Sequence, residues 1–394
     1  MNSMSAVHTP EPALASPAAL TELLDAELAP LADRIDHEGF YPEALIRRLG
    51  AAGVYSRHLA AFATGPRDLG AAISDMGDVA ARCMATAFCA WCQDACGWYL
   101  ENTDNTELRN KLQGGIADGT LLGGTGLSNP IKALSGIEGF NLRAKRAPGG
   151  YVVTGALPWV SNLGQGHWFG TIFQDADDPT HRMMAMVQCG QPGVEIRQNI
   201  KYSVLEGTGT YSVRFRRAFI ADEMMLADPL DDMVGRIRPG FVLLQTGMGL
   251  GVIRASVDSM QKSDVTHAHT NRFLPQRPAY FEDRLATVEG AVMHLAATPR
   301  DGSADYVREV LAARLAVSDL TLEAIQAAML HAGAKAFIEH APVQRRLREG
   351  YFVAMITPSI RHLTQELGRM ASHSISHTHR SLPADERPSP SLSR

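Results

Sequence analysis

The sequence predicts an α+β chain in three units: an N-terminal helical domain, a central β domain of barrel or sheet form, and a C-terminal helical bundle. Three observations predict it. Apolar residues recur at helical spacing as far as Ala117, the period shortens to that of strands after Gly119, and long helical runs return from Pro239. With 394 residues, 45% of them hydrophobic and 20% charged, the chain is long enough to bury more than one core.

Residues 1–17 are rich in Pro, Ala and Ser and are expected to be disordered. They lack a basic start followed by an apolar stretch, so no secretion signal is expected and the cytoplasm is the expected compartment. The helical domain takes residues 18–118. Leu20, Leu23, Leu24, Leu28 and Leu31 open it, Tyr41-Pro42-Glu43 starts a short helix that Gly53 closes, and longer helices follow over 68–83, 85–101 and 107–117. The β domain takes 119–236, with strands at 151–154, 167–173, 183–187 and 211–219, all β-branched or aromatic and bounded by Gly, Pro or Asp. In the last of these Val213 and Phe215 alternate with Arg214 and Arg216, the pattern of a strand with one packed face. The bundle takes 237–372, and its longest helix spans 303–330, with Ser303 as N-cap and Gly333 as stop. Residues 373–394 are polar and rich in His and Pro, and read as a disordered tail.

Several function classes are excluded by composition. A net charge of −5 with Lys and Arg scattered among acids offers no basic stripe for nucleic acid. The least polar stretch, 240–253, is shorter than the ~20 residues a membrane-spanning helix needs and is broken by Gly247, Gly249 and Gly251. Five cysteines without a secretion signal predict free thiols. Cys89, Cys92 and Cys96, with Cys83 upstream, lie along one helical stripe and read as buried small thiols rather than cluster ligands. His373, His377 and His379 sit in a Ser-rich segment with no preorganised geometry, and no metal is assigned.

Gly149-Gly150-Tyr151-Val152-Val153-Thr154-Gly155, then Pro158-Trp159-Val160-Ser161-Asn162, resembles the glycine-turned strand and Trp-x-Ser/Thr-Asn turn of the acyl-CoA dehydrogenases. Leu121-Leu122-Gly123-Gly124-Thr125-Gly126 stands where that family has a strand ending in Thr-Glu. The segment from Ser212 to Leu226 is similar to its strand leaving the β domain, and Phe337-Ile338-Glu339-His340-Ala341-Pro342-Val343 with Arg348-Glu349 to its Phe-x4-Pro-Val-x4-Arg-Asp segment. The resemblance covers roughly residues 20–370, in agreement with the domain order. It implies a four-helix bundle at the C-terminus, FAD or alternatively FMN as cofactor, and a homodimer or homotetramer. It also implies a flavin contacted by Gly124, Thr125, Trp159, Val160 and Ser161, with Trp159 over one face of the ring and Ser161 near the hydride-accepting N5. Arg272 and Ser359 are further cofactor candidates.

The chain departs from the family at the catalytic base. The glutamate that relatives use to remove the α-proton falls in a slot reading Thr357-Pro358-Ser359 here, and the alternative position falls near Val242, where no Asp or Glu occurs from Pro239 to Val257. The loop Leu127-Ser128-Asn129-Pro130-Ile131-Lys132 replaces a Gly-Ser-Asp element that helps hold the thioester. Asp94, with Trp91 and Gln93 on one helix, is the replacement base put forward, and His331 a second acid or base. Arg345, Arg346 and Arg348 are read as phosphate contacts, subunit contacts or a solvated face. Three functions follow: hydride transfer from an acyl thioester (a CH–CH donor) to flavin N5, with an electron-transfer or reductase partner; a two-component flavin monooxygenase of the same fold on a non-CoA small molecule; or a flavin-binding scaffold without turnover.

Overall fold

The computed structural model describes residues 16–62, 67–198 and 200–381, so the expectations for residues 1–15 and 382–394 fall outside it. Ser16 caps the first helix by accepting from Ala19 N, and Pro17 occupies its first position, where no N–H is needed. This helix, α1 (Pro17–Leu23), continues through a π turn (Leu24–Leu28) and a 3-10 turn (Ala29–Leu31) into α2 (Ala32–His37). Helices α3 (Glu43–Ala51) and α4 (Leu69–Arg82) follow, the latter capped by Asp68. The helix after them, α5 (Met84–Asn102), is buried on every side. A helix without a polar face belongs in a core, and this one is wrapped by α4, α6 (Thr106–Asp118), the sheet and the C-terminal helices. Its cysteines are accordingly free and fully buried, and burial pushes the Cys96 thiol up to about 12.

The central strands are β1 (Gly123–Gly126), β2 (Leu142–Ala147), β3 (Gly150–Val160), β4 (Trp168–Asp175), β5 (Arg182–Gln188), β6 (Val194–Arg197), β7 (Tyr211–Ala221) and β8 (Met225–Ala227). They form one mixed sheet in the order β6-β7-β3-β2-β4-β5-β8, with β1 added beside β4. The β1–β4 and β2–β4 pairs are parallel and the rest antiparallel. The alternation in β7 holds, Val213 and Phe215 being buried and Arg214 and Arg216 exposed. Sequence reading misses β2, β6, β8 and the helix α7 (Ser128–Leu134). Strand β2 carries Arg143, Lys145 and Arg146, so its buried face is only Leu142 and Ala144, while Pro130 in the first turn of α7 mimics a loop.

The chain then runs through α8 (Asp231–Leu244) and α9 (Thr246–Asn271), separated only by Gln245, to α10 (Pro278–Ala296), α11 (Ala304–Ala332), α12 (Pro342–Met355) and α13 (Ile360–Ser381). Helices α9 to α12 pack together, and α13 adds a fifth helix against α11. Ser303 caps α11 by accepting from Tyr306 N, and Gly333 follows its last residue. The last helix runs past Ser372, where the sequence suggests a tail, because no Gly or Pro follows Gly368 before Pro383. The α8–α9 run is long and apolar enough to cross a membrane by composition, longer than the stretch the sequence alone marks out, but it is mostly buried inside the protein as the central element of the bundle.

The arginines of α12 are neither solvated nor free to bind phosphate. Arg346 is buried and donates to the carbonyls of Ala80 (3.1 Å) and Ala81, and Arg345 donates to the carbonyl of Arg82 (2.9 Å), together capping the C-terminus of α4. Glu349, also buried, accepts from Met84 N at 3.1 Å, at the N-terminus of α5. Arg348 reaches instead to Asp36 on α2 (2.7 Å). Cation and anion thus lie at the helix ends whose dipoles favour them, and fix the sharp turn at Cys83.

Candidate active site

Two glycines let β1 lie flush between α5 and the end of β3. A Cβ on Gly123 would stand 2.5 Å from Cys96 Sγ, and one on Gly124 only 2.3 Å from the Ser161 carbonyl. The close approach produces a single bridge between Thr125 and Ser161. Asn162, in a left-handed conformation at φ 62°, turns the chain; its side chain donates to the Gly123 carbonyl (2.7 Å) and accepts from the Tyr41 hydroxyl (2.8 Å). Gln93 donates to the carbonyls of Ile116 and Leu121, both at 2.8 Å, and accepts from Gly123 N at 2.7 Å, so it holds β1 rather than facing a ligand.

The result is a cavity of about 410 Å³ between the sheet, α5, α8 and the α12–α13 connection. One wall presents Trp159 and the hydroxyls of Thr125, Ser161, Thr208 and Thr210; the other presents Phe88, Trp91, Phe241 and Phe352. The hydroxyls are linked, Ser161 to Thr210 and Thr210 to Thr208 at 2.7 Å each, while Thr125 shares a 2.6 Å bond with Tyr99. Trp159 is 44% exposed, high for a tryptophan, and its indole N–H donates to Ser128 Oγ at 3.3 Å. Ser128 Oγ also lies 3.2 Å from Thr357 Oγ1. Lys132 and Arg361 add positive charge to the lining.

These features fit a flavin. A flat accessible indole suits stacking on a planar ring, hydroxyls suit its polar edge, and two cations suit phosphates.

Of the residues chosen from sequence, Thr125, Trp159, Ser161 and Ser359 line this one cavity. Gly124 lies in the adjoining strand, its form dictated by the Ser161 backbone. Val160 is 1% exposed and belongs to the sheet core, so it does not line the cavity; its neighbours in the strand alternate outward. Arg272 follows α9 and stacks over Phe273 (4.8 Å to the ring centre), roughly 40 Å along that helix from Gln245 at 1.5 Å per residue, and does not reach the cavity of its own chain.

Asp94 is not brought to the cavity either. It is 1% exposed on the far side of α5, with its carboxyl 3.7 Å from His58 Nδ1, and neither atom has a hydrogen-bond partner. Burial pushes the Asp94 carboxyl well above the usual carboxylate range and holds His58 down at about 4. His331 accounts for itself as a helix-end residue, bonding the Gln276 carbonyl (2.9 Å) and Asp264 (3.3 Å). Thr357 lines the cavity, and Val242 lines a smaller neighbouring one of about 80 Å³ that also holds Arg238 and Glu366, joined at 2.6 Å. Among the described residues, no Asp or Glu lines the main cavity. Sequence reasoning missed Lys132, Arg361, Phe241 and the segment from Tyr202 to Leu205; a cation two residues after Ser359 was the available signal for Arg361.

No family model matches the chain. Benzylmalonyl-CoA dehydrogenase of Aromatoleum aromaticum is 25% identical over 241 residues, 59% of this chain and 63% of that protein, so the match spans less than two thirds of the relative's length. The structure superposes on butyryl-CoA dehydrogenase from Megasphaera elsdenii with a TM-score of 0.79 at 17% identity, covering 93% of this chain and 99% of the other. It also matches PigA with FAD and proline, with a TM-score of 0.75 at 13% identity over 91% of this chain and 98% of that one. The helix–sheet–helix order, the sheet and the bundle are common to these proteins, and the chain has the fold of the acyl-CoA dehydrogenases.

Proposed function

We propose that the protein is a flavin-dependent oxidoreductase, binding FAD in the 410 Å³ cavity and taking hydride from the CH–CH unit of an acyl thioester. The observation that carries the reading is the pairing of an exposed Trp159 and a row of hydroxyls on the sheet side with an aromatic wall on the helix side. Bound flavin supplies a hydride acceptor at N5. Trp159 covers the ring from the sheet, held by its bond to Ser128. Thr125 and Ser161 orient the polar edge, and Ser359 and Arg361 receive the phosphates. Phe88, Trp91, Phe241 and Phe352 exclude water from the reacting carbons. FAD is favoured over FMN by the company of FAD-bearing neighbours of this fold, and the thioester by the benzylmalonyl-CoA dehydrogenase match. The same reading makes the protein cytoplasmic and a homodimer or homotetramer, with an electron-transfer protein or reductase as redox partner.

One observation favours a second reading. Desaturation releases a proton beside the hydride, and no carboxylate among the described residues lines the cavity to take it. A monooxygenase of the same fold, fed reduced flavin by a reductase and acting on a non-CoA substrate, needs no such base. The experiment is anaerobic absorbance of the purified protein with a panel of acyl-CoA thioesters. Bleaching of the flavin band supports the dehydrogenase. No bleaching, with an oxygenated product once a reductase, reduced flavin and oxygen are supplied, supports the second reading. Neither response, with flavin bound, would leave a scaffold and sink both.

A further inference from the structure

Away from the cavity, α2 meets the turn that precedes α12, and three metal-binding side chains converge there. Asp33 and His37 lie one helical turn apart on α2, and His340 comes from the far end of the chain. Asp33 Oδ1 is 2.9 Å from His340 Nδ1 and 3.5 Å from His37 Nε2, and all three donor atoms lie within 4.8 Å of one another. The imidazole ring centres lie 4.1 Å apart, with the ring planes tilted by 54°. His340 has a left-handed backbone, φ 66°, which aims its ring back at α2.

We propose that Asp33, His37 and His340 form a binding site for a divalent transition-metal ion of the zinc type, which staples the N-terminal helices to the C-terminal bundle. Ligand bonds of ~2.0–2.1 Å put the edges of a tetrahedron at about 3.3–3.4 Å, so two of the three separations already lie within about half an ångström of that length. Two imidazoles and one carboxylate leave a fourth position for water, and the donor set suits zinc, cobalt or nickel rather than calcium or magnesium. Asp36 is also near, its Oδ2 3.5 Å from His37 Nε2, but it is committed to Arg348, which in turn donates to the Ser203 carbonyl at 3.1 Å. Tyr202 to Leu205 line the main cavity, so the staple sits behind one of its walls. The three ligands are accessible to an incoming ion.

The test is zinc titration of the full-length protein, read by calorimetry and by thermal unfolding, with cobalt(II) absorbance reporting ligand geometry. Controls are His37→Gln, Asp33→Asn and His340→Asn, asparagine tolerating the left-handed backbone. A fourth variant replaces His373, His377 and His379 by Gln, since these could bind zinc independently. The expected result is one equivalent of zinc that raises the unfolding temperature, with intense cobalt bands, retained in the tail variant. Loss of an outer-shell partner alone costs ~10–100-fold in affinity, so each ligand variant should weaken binding by at least about tenfold. Binding and stabilisation unchanged in the three ligand variants, lost in the tail variant, or absent from the natural protein would overturn the proposal.

Discussion

Replacing Glu349 by Ala tests whether the α4–α5 corner is held by charges at its helix ends. Glu349 is 1% exposed, accepts from Met84 N and stands 3.5 Å from Arg346 Nη1, itself buried. Removing the carboxylate orphans a helix N-terminal N–H, worth about 1 kcal/mol, and leaves a buried guanidinium without its counter-charge, which costs ~3–5 kcal/mol where one partner of a buried pair is removed. The carbonyls of Ala80 and Ala81 still solvate Arg346, so the lower part of that range applies. Glu349→Ala should therefore destabilise by about 4 kcal/mol, while Glu349→Gln, which keeps an acceptor for Met84 N but not the charge, should cost about 1 kcal/mol less. Urea unfolding followed by far-UV circular dichroism and by tryptophan fluorescence measures both. A loss under about 1 kcal/mol for Glu349→Ala would place the pair in the class of surface ion pairs and refute the reasoning.

Trp159→Ala removes the flat wall of the cavity and should raise the flavin dissociation constant roughly tenfold or more, one buried aromatic contact being worth ~1–3 kcal/mol; fluorescence titration with FAD would show it, with circular dichroism unchanged. Asp94→Asn should leave flavin binding and reduction in place, since Asp94 is not among the residues that line the cavity, while removing a pH dependence of stability. Asp94 has a raised folded pKa, so the folded state holds its proton longer than the unfolded chain and native stability falls as pH rises from the usual carboxylate range through that raised value; the Asn variant should lack this decline. His58 acts in the opposite sense: with its folded pKa lowered from 6.5 to about 4, its contribution is complete above 6.5 and is lost as pH falls through about 4, so acid unfolding should persist in the Asn variant.

The order of helices, strands and helices was legible because burial writes a period into each element, and Ser303 acts as the cap expected of it. Elements with little buried face left no such trace, as the cationic β2 shows. At the site, the Trp159-Val160-Ser161-Asn162 turn was legible as a motif, but only the alternation of strand residues separates the outward Trp159 from the buried Val160. Asp94 misled for a general reason: sequence shows that a carboxylate lies on the helix beside a cavity, not which side of that helix the cavity occupies. The α12 arginines misled similarly, because their partners are backbone carbonyls of α4, which no residue type announces.

The occupant of the vacant base slot bears on which chemistry the cavity can perform. Thr357 bonds to Ser128, and Ser128 receives the Trp159 indole N–H, so the threonine helps position the wall that the ring would stack on. The titratable groups in the lining are Lys132, Tyr202 and Arg361. The first and last carry positive charge, and burial pushes the Tyr202 phenol up, with Glu206 adding to the effect. All three are donors: they can stabilise negative charge as it develops on a substrate, but none is suited to remove a proton at neutral pH. Glu366, in the adjoining small cavity, is held by Arg238 at 2.6 Å and by Ser135 at 3.4 Å, which satisfies its charge where it stands. On the proposed dehydrogenase reading, the α-proton of a thioester therefore has no carboxylate acceptor in the lining and would pass to a group of the substrate's own. The proposed dehydrogenase reading predicts faster flavin reduction by thioesters whose α-carbon is already acidic than by simple acyl chains, whose α-proton needs a strong local base.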